Sequence, residues 1–110
     1  MTPDHINRFN KVSVGILKCL YKHFPDPSYP TPTSIGLTEE TPSMVDGIYQ
    51  NSDEYEDLSV ELRRALLWLI QEGYVFDRGY KIGPSYVLTA QGLKVLGNVA
   101  PECRTPILIR

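Results

Sequence analysis

The first apolar pattern along the chain recurs at spacings of three and four residues between positions 7 and 24. Such spacing places the apolar side chains on one face of a helix and predicts an amphipathic helix with a single buried stripe. The stripe consists of Phe9, Val12, Ile16, Leu17, Leu20 and Phe24. Pro25 follows directly and cannot continue helical hydrogen bonding, so we expect the helix to end there. Three more prolines then make residues 26–34 a connector.

The clearest helical pattern lies in residues 58–74. Ser59 is a hydroxyl residue of the type that caps helices, and Glu61 places an acid in the first turn. Gly73 can adopt the left-handed conformation that ends a helix. The apolar stripe between these signals consists of Leu62, Ala65, Leu66, Leu69 and Ile70. We therefore predict a second helix that begins near Ser59 and stops at Gly73.

Two short runs after this helix, residues 74–76 and 86–88, are rich in β-branched and aromatic residues. Glycines and a proline separate them, which predicts a β-hairpin with a basic, aromatic tip. Thr89 is placed to cap a last helix that ends at Gly97 and Asn98. Inside that helix, Gly92 lowers helix propensity by about 1 kcal/mol relative to alanine and fits close packing.

The segment between the first two helices is the least regular part of the sequence. Residues 35–37 are read as a short third strand, with the entry to a short helix as the alternative. Residues 38–57 carry seven acidic side chains and no Lys or Arg. Their scattered apolar residues indicate one or two short helical turns in a loosely packed flap, which lies against the core or serves as a contact surface.

Length and composition favour one domain with one core, because the chain has 110 residues of which 42% are apolar. The domain includes an apolar C-terminal tail, residues 99–110. No apolar stretch approaches the roughly 20 residues needed to span a bilayer, and residues 1–5 lack a signal-peptide pattern. We expect a cytoplasmic protein without membrane contact, in which Cys19 and Cys103 are free thiols.

The order of signals in the second half of the chain resembles a known family. A leucine-rich helix ending in Gln71-Glu72-Gly73-Tyr74-Val75 is followed by a hairpin and then by Tyr86-Val87-Leu88-Thr89-Ala90-Gln91-Gly92. This order is similar to the second half of a winged-helix domain in small bacterial transcriptional regulators, and the likeness covers mainly residues 58–98. The resemblance implies an α+β fold of three main helices with an antiparallel hairpin as the wing. It also implies that residues 59–72 form the recognition helix.

The first functional hypothesis is a non-enzymatic, dimeric transcriptional regulator that binds double-stranded DNA. In that arrangement the recognition helix reads bases while the wing grips phosphates, and both need cationic groups. The candidate residues are Arg63 and Arg64 on the helix and Arg78, Tyr80 and Lys81 at the wing tip. The formal net charge of −2 means that these positive groups would have to be concentrated on one face. The sequence departs from the family where a compact helix would precede the recognition helix.

The second hypothesis is a winged-helix adaptor that binds a protein partner or a second copy and does not bind DNA. Turning 100° per residue from the buried stripe, the outer face of the 59–72 helix carries Leu67 and Trp68, which suit contact with protein better than contact with a DNA groove. The apolar tail residues are further candidates for that interface: Ile107, Leu108 and Ile109. Alternatively, residues 38–57 or the tail of the same chain cover Trp68.

No catalytic constellation accompanies these features, so we expect no enzyme. Cys19 and His23 are four residues apart, a spacing that suits zinc, and only His5 and Cys103 remain to complete a site. A buried thiol and a surface imidazole explain them better. We therefore predict no metal and no cofactor.

Overall fold

The computed structural model describes residues 4–41, 43–45, 48–50, 52–81 and 83–105, with the backbone alone described at 43–45 and 48–50. Its elements are α1 (Asp4–His23), β1 (Ser43–Val45), β2 (Ile48–Gln50), α2 (Asp53–Gln71), β3 (Val75–Asp77), β4 (Tyr86–Leu88) and α3 (Ala90–Val99). Strands β3 and β4 pair antiparallel, with Phe76 opposite Val87. The predicted α+β arrangement of three helices and a hairpin is thereby confirmed, and its layout is consistent with a winged-helix-like domain.

The core lies where the three helices meet the β3–β4 hairpin. The apolar stripe of α1 is buried at Val12, Ile16, Leu17 and Leu20, as predicted, whereas Phe9 and Phe24 are only partly buried. The stripe of α2 faces the same core. The largest fully buried side chains include Ile16, Leu20, Leu93, Leu96 and Val75. One contiguous core thus joins the N-terminal helix to the predicted winged half.

Helix α2 begins six residues before the predicted Ser59, which corrects the sequence-based start. Its N-cap is Ser52, whose hydroxyl accepts a hydrogen bond from the backbone N–H of Tyr55 at 3.1 Å. The N–H of Ser52 donates to the carboxylate of Glu40 at 3.0 Å. Hydrogen bonds from the Ser52 side chain and backbone lower the pKa of the Glu40 carboxyl below its ordinary value. Ser59 lies inside the helix and donates its hydroxyl proton to the carbonyl of Tyr55.

Part of the acidic segment therefore belongs to the start of this helix. Asp53, Glu54 and Glu56 occupy the first turn of α2. Carboxylates are favourable there because the free N–H groups give the helix N-terminus a partial positive charge. Some of the acidic residues that predicted an irregular flap thus stabilise the first turn of α2.

Residues 35–37 do not form the predicted third strand. They belong to a turn in which the N–H of Leu37 donates to the carbonyl of Pro32 at 2.9 Å. The proline-rich connector instead joins the wing at Ser28, which forms an isolated antiparallel bridge with Tyr86 through N···O distances of 2.8 and 3.1 Å. The extra bridge to the hairpin therefore comes from the connector, seven residues before Ile35.

The helical turns expected in residues 38–57 are replaced at 43–50 by an antiparallel pair. Strands β1 and β2 align Met44 with Tyr49. Across the described positions between α1 and α2 there is no helix. The helix-turn-helix half of a winged-helix regulator is consequently not formed by the part of this region that the structure describes.

The junction of α2, the wing and α3 follows the predicted caps. Gly73 has a φ of 84°, its N–H donates to Ile70, and the N–H of Tyr74 donates to Leu69 at 2.9 Å. This pattern is a Schellman motif. The hydroxyl of Thr89 accepts from the N–H of Gly92 at 3.0 Å and donates to the carbonyl of Gly73. One side chain therefore caps α3 and ties it to the end of α2.

Candidate protein-interaction groove

An open groove of about 730 Å³ lies between α1 and α2, and we call it the α1–α2 groove. Its apolar lining consists of Phe9, Val12, Val60, Ala65 and Trp68. Its charged or titratable lining consists of His5, Arg8, Asp57, Glu61 and Arg64. Val12 and Ala65 are buried, whereas Val60 is 47% exposed and Trp68 is 42% exposed. The groove therefore has a buried apolar floor and an apolar edge that meets solvent.

Trp68 is held in place by aromatic rings on two sides. The ring of Phe9, from α1, meets the indole edge to face with centroids 5.2 Å apart, and Tyr74 packs against it at 6.0 Å. Edge-to-face contact is a favoured geometry for aromatic pairs. The indole is thus fixed by its own chain and still leaves a large part of its surface uncovered.

The side chains that were predicted to form the outer face of α2 are exposed to solvent. Leu67 is 52% exposed beside Trp68, and Val60 lies on the same face two turns earlier. The other wall of the groove was not predicted, because Phe9 was assigned to the buried stripe of α1. The contact of Phe9 with Trp68 joins residues far apart in the chain, and no local spacing indicates it.

The charges that line the groove are of both signs. Arg8 of α1 forms an ion pair with Glu61 of α2, and the side chains stay 42% and 34% exposed. Asp57 and Arg64 add one further carboxylate and one further guanidinium. At such exposure the pair contributes little to stability. What it does fix is the position of two opposite charges across the groove.

The structure separates the two arginines that were predicted to read DNA. Arg64 lines the α1–α2 groove, whereas Arg63 lines a smaller pocket of about 150 Å³ beside Tyr29 and Tyr86. Burial raises the pKa of Tyr86, the neighbouring Asp77 and Tyr29 raise it further, and Arg63 opposes the rise. The two arginines therefore lie on different surfaces of α2.

The wing tip presents the other predicted DNA residues to solvent. Arg78, Tyr80 and Lys81 are all exposed. The loop is shaped by Asp77, whose carboxylate accepts from the N–H of Gly79 at 2.8 Å. That bond, together with one from the Ser85 side chain, lowers the pKa of Asp77. Two cations and one aromatic ring are thus exposed within four consecutive residues of the loop between β3 and β4.

Four further sequence predictions concern features away from the groove. Cys19 and Cys103 are both buried free thiols. Within the described ranges, no three His, Cys, Asp or Glu side chains are grouped so that they could hold a metal ion. The predicted interface residues of the tail, Ile107, Leu108 and Ile109, lie outside the described residues. No helix among those described is long and apolar enough to cross a membrane.

Comparison with known proteins adds no relative. No protein-family model, curated protein or solved structure matches this chain. The fold class rests on the structure itself, three helices and an antiparallel hairpin in a winged-helix-like layout. Any function must be argued from the α1–α2 groove and the wing.

Proposed function

We propose that this chain is a non-enzymatic winged-helix module that binds another protein chain through the α1–α2 groove. The observation that carries the proposal is Trp68, fixed by Phe9 on an apolar groove and still 42% exposed. Tryptophan and arginine dominate the energetically important positions of protein interfaces, and Arg8 and Arg64 line the same groove. A preformed aromatic anchor needs little ordering when a partner binds.

Burial of the exposed apolar surface of the groove would contribute enough free energy to support a protein contact. Roughly 100 Å² of indole surface remains exposed, and its burial would contribute about 2–3 kcal/mol. Val60 and Leu67, about half exposed on the same helix, extend the apolar surface. A recognition helix in a DNA major groove would place these side chains against polar base edges and phosphates, where their burial gains less.

Photocrosslinking in cells tests this proposal. A photoreactive amino acid at Val60, which lines the groove and is 47% exposed, should form an adduct with another protein chain on irradiation. The same amino acid at Lys94, exposed on α3, is the matched control and should form none. Adducts that are absent at Val60, or equally frequent at both positions, would contradict a binding role for the groove.

A second candidate function is contact with duplex DNA through the wing, and the exposed Arg78, Tyr80 and Lys81 at its tip favour it. Cations at a hairpin tip can replace condensed counterions along the phosphate backbone without reading bases. Because the arginines of α2 line two separate pockets, we assign this contact to the wing alone. Binding would then be weak, salt-dependent and insensitive to sequence.

Charge reversal at the wing tests this second candidate. Arg78→Glu combined with Lys81→Glu should weaken binding to mixed duplex DNA at low salt by about tenfold or more and flatten the salt dependence. The control combines Lys22→Glu with Lys94→Glu, which makes the same charge change on exposed residues of α1 and α3. Fluorescence anisotropy of labelled DNA measures both variants. Equal affinities, or no binding by the unmodified chain, would exclude the wing as a DNA contact.

A further inference from the structure

We propose that the small pocket beside Arg63 binds a small aromatic carboxylate, whose ring enters the pocket while its carboxylate pairs with the guanidinium. The pocket lies between α2, the proline-rich connector and β4, and we call it the Arg63 pocket. It shares no lining residue with the α1–α2 groove. The inference therefore goes beyond the proposed function and does not depend on it.

The walls of the Arg63 pocket are parts of the folded core and of the connector. Leu62 and Leu66 of α2 are buried, belong to the core and line the pocket. The connector is joined to the wing by the two backbone hydrogen bonds between Ser28 and Tyr86. The other apolar and aromatic residues that line the pocket are Tyr29, Pro30, Pro32 and Tyr55. Ligand sites are typically preformed concave surfaces with mostly apolar walls, and this pocket has that character.

The volume of the pocket sets the size of the ligand. It is about 150 Å³, and an apolar cavity of roughly that volume accommodates one benzene molecule. The rings of Tyr29 and Tyr86, with centroids 5.7 Å apart, both line it. Aromatic rings pack favourably against each other in edge-to-face and offset arrangements. A single six-membered aromatic ring therefore fits, whereas a nucleotide is too large.

The charge of the lining sets the charge of the ligand. Of the described residues that line the pocket, Arg63 alone is charged, and no described side chain forms an ion pair with it. Burial raises the pKa of the Tyr86 phenol and the positive charge of Arg63 opposes that rise, so the two groups lie close together. The neighbouring acid, Asp77, already accepts hydrogen bonds from Gly79 and Ser85. An unpaired guanidinium at the mouth of an apolar pocket favours an anion.

The hydroxyl groups of the two smaller polar residues in the lining already have partners within the chain. The hydroxyl of Thr31 accepts a hydrogen bond from the N–H of Ser34 at 3.1 Å. Ser59 donates its hydroxyl proton to the carbonyl of Tyr55 at 3.0 Å. Arg63 therefore supplies the main polar contact for a ligand, and a guanidinium matches a carboxylate through two parallel hydrogen bonds.

Titration of the unmodified chain with benzoate tests the proposal. Benzoate should shift the amide NMR signals of the residues that line the pocket, with a dissociation constant of about 1 mM or lower. Benzamide has nearly the same shape and no charge, so it should bind at least about tenfold more weakly. The proposal is overturned by equal affinities for the two compounds, by saturable shifts confined to other residues, or by no saturable shift up to roughly 20 mM benzoate.

A pair of variants tests the role of the guanidinium. Arg63→Gln changes an exposed position, so it should keep the native circular dichroism spectrum while weakening benzoate binding by about tenfold or more. Arg64→Gln is the matched control, because it makes the same change on the next residue, which lines the α1–α2 groove. It should bind benzoate as the unmodified chain does. Equal affinities of the two variants for benzoate would contradict the assignment of the carboxylate to Arg63.

Discussion

Gly92→Ala should lower the free energy of unfolding by about 3 kcal/mol or more, which exceeds the usual cost of adding a methyl group to a packed site. A Cβ at this position would lie 2.1 Å from the carbonyl oxygen of Tyr74 and 3.0 Å from its carbonyl carbon. Both atoms belong to the backbone, so no side-chain rotation relieves the overlap. Helix α3 would have to move away from the wing. The N–H of Thr89 donates to the same carbonyl, so the movement would also disturb the helix cap.

Gly97→Ala is the matched control for this change. It lies on the same helix, and its Cβ would lie at an ordinary 3.6 Å from the carbonyl oxygen of Cys103. Alanine favours the helix over glycine by up to about 1 kcal/mol, so this variant should be as stable as the parent or slightly more stable. Urea unfolding followed by circular dichroism compares the two. A Gly92→Ala variant within about 1 kcal/mol of the parent would disprove the close contact.

The same glycine shows what the sequence can and cannot predict. At Gly92 the local pattern indicates a helix and a modest loss of propensity, together with a general fit to close packing. The near contact with Tyr74 joins residues 18 positions apart and appears only in the folded chain. The stop at Gly73 and the cap at Thr89 were predicted correctly because their hydrogen bonds reach only three to five residues along the chain. Hydrogen bonds between residues close in the chain can be predicted from the local sequence, whereas packing between helices and strands cannot.

The misplaced start of α2 has the same origin. Ser52 and Ser59 are both hydroxyl residues near acids, and each could cap a helix. The structure uses Ser52, which also bonds to Glu40 in the acidic segment before β1. That choice depends on a contact 12 residues away, so the local pattern could not decide between the two serines. The three-residue strands β1 and β2 are likewise too short to show an alternating pattern.

The α2 side of the candidate site was predicted from the sequence, and the α1 side was not. Leu67 and Trp68 were assigned to a protein interface because their side chains fall on the outer face of the helix, and the structure places both there. Arg64, a DNA candidate from the sequence, lines the groove with Asp57 and Glu61. A helical projection of α2 alone shows which side chains point outward, but not that α1 supplies a second wall. The role of the tail residues Ile107, Leu108 and Ile109 stays a prediction.

The two proposed contacts use different parts of the molecule. The α1–α2 groove involves the first half of α1 and one face of α2, whereas the DNA candidate involves the loop between β3 and β4. Protein binding through the groove would therefore not exclude DNA binding through the wing, and each can be tested by itself.

Ile16→Ala should cost about 3–4 kcal/mol of stability, the second large effect that we expect. Ile16 is completely buried, among the side chains that join α1 to α2, α3 and the hairpin. Removing three of its carbon atoms leaves a cavity in the centre of the single core, and the surrounding helices can collapse onto it only in part.

Ile6→Ala makes the same chemical change on the same helix, but Ile6 is 46% exposed. That variant should stay within about 0.5 kcal/mol of the parent, as surface substitutions usually do. Thermal unfolding at one protein concentration compares them, because any dimer would make the melting temperature depend on concentration. Equal losses for the two variants would mean that α1 is not packed through Ile16. The groove between α1 and α2 would then lose its structural basis, since its first wall is held against α2 by that same stripe.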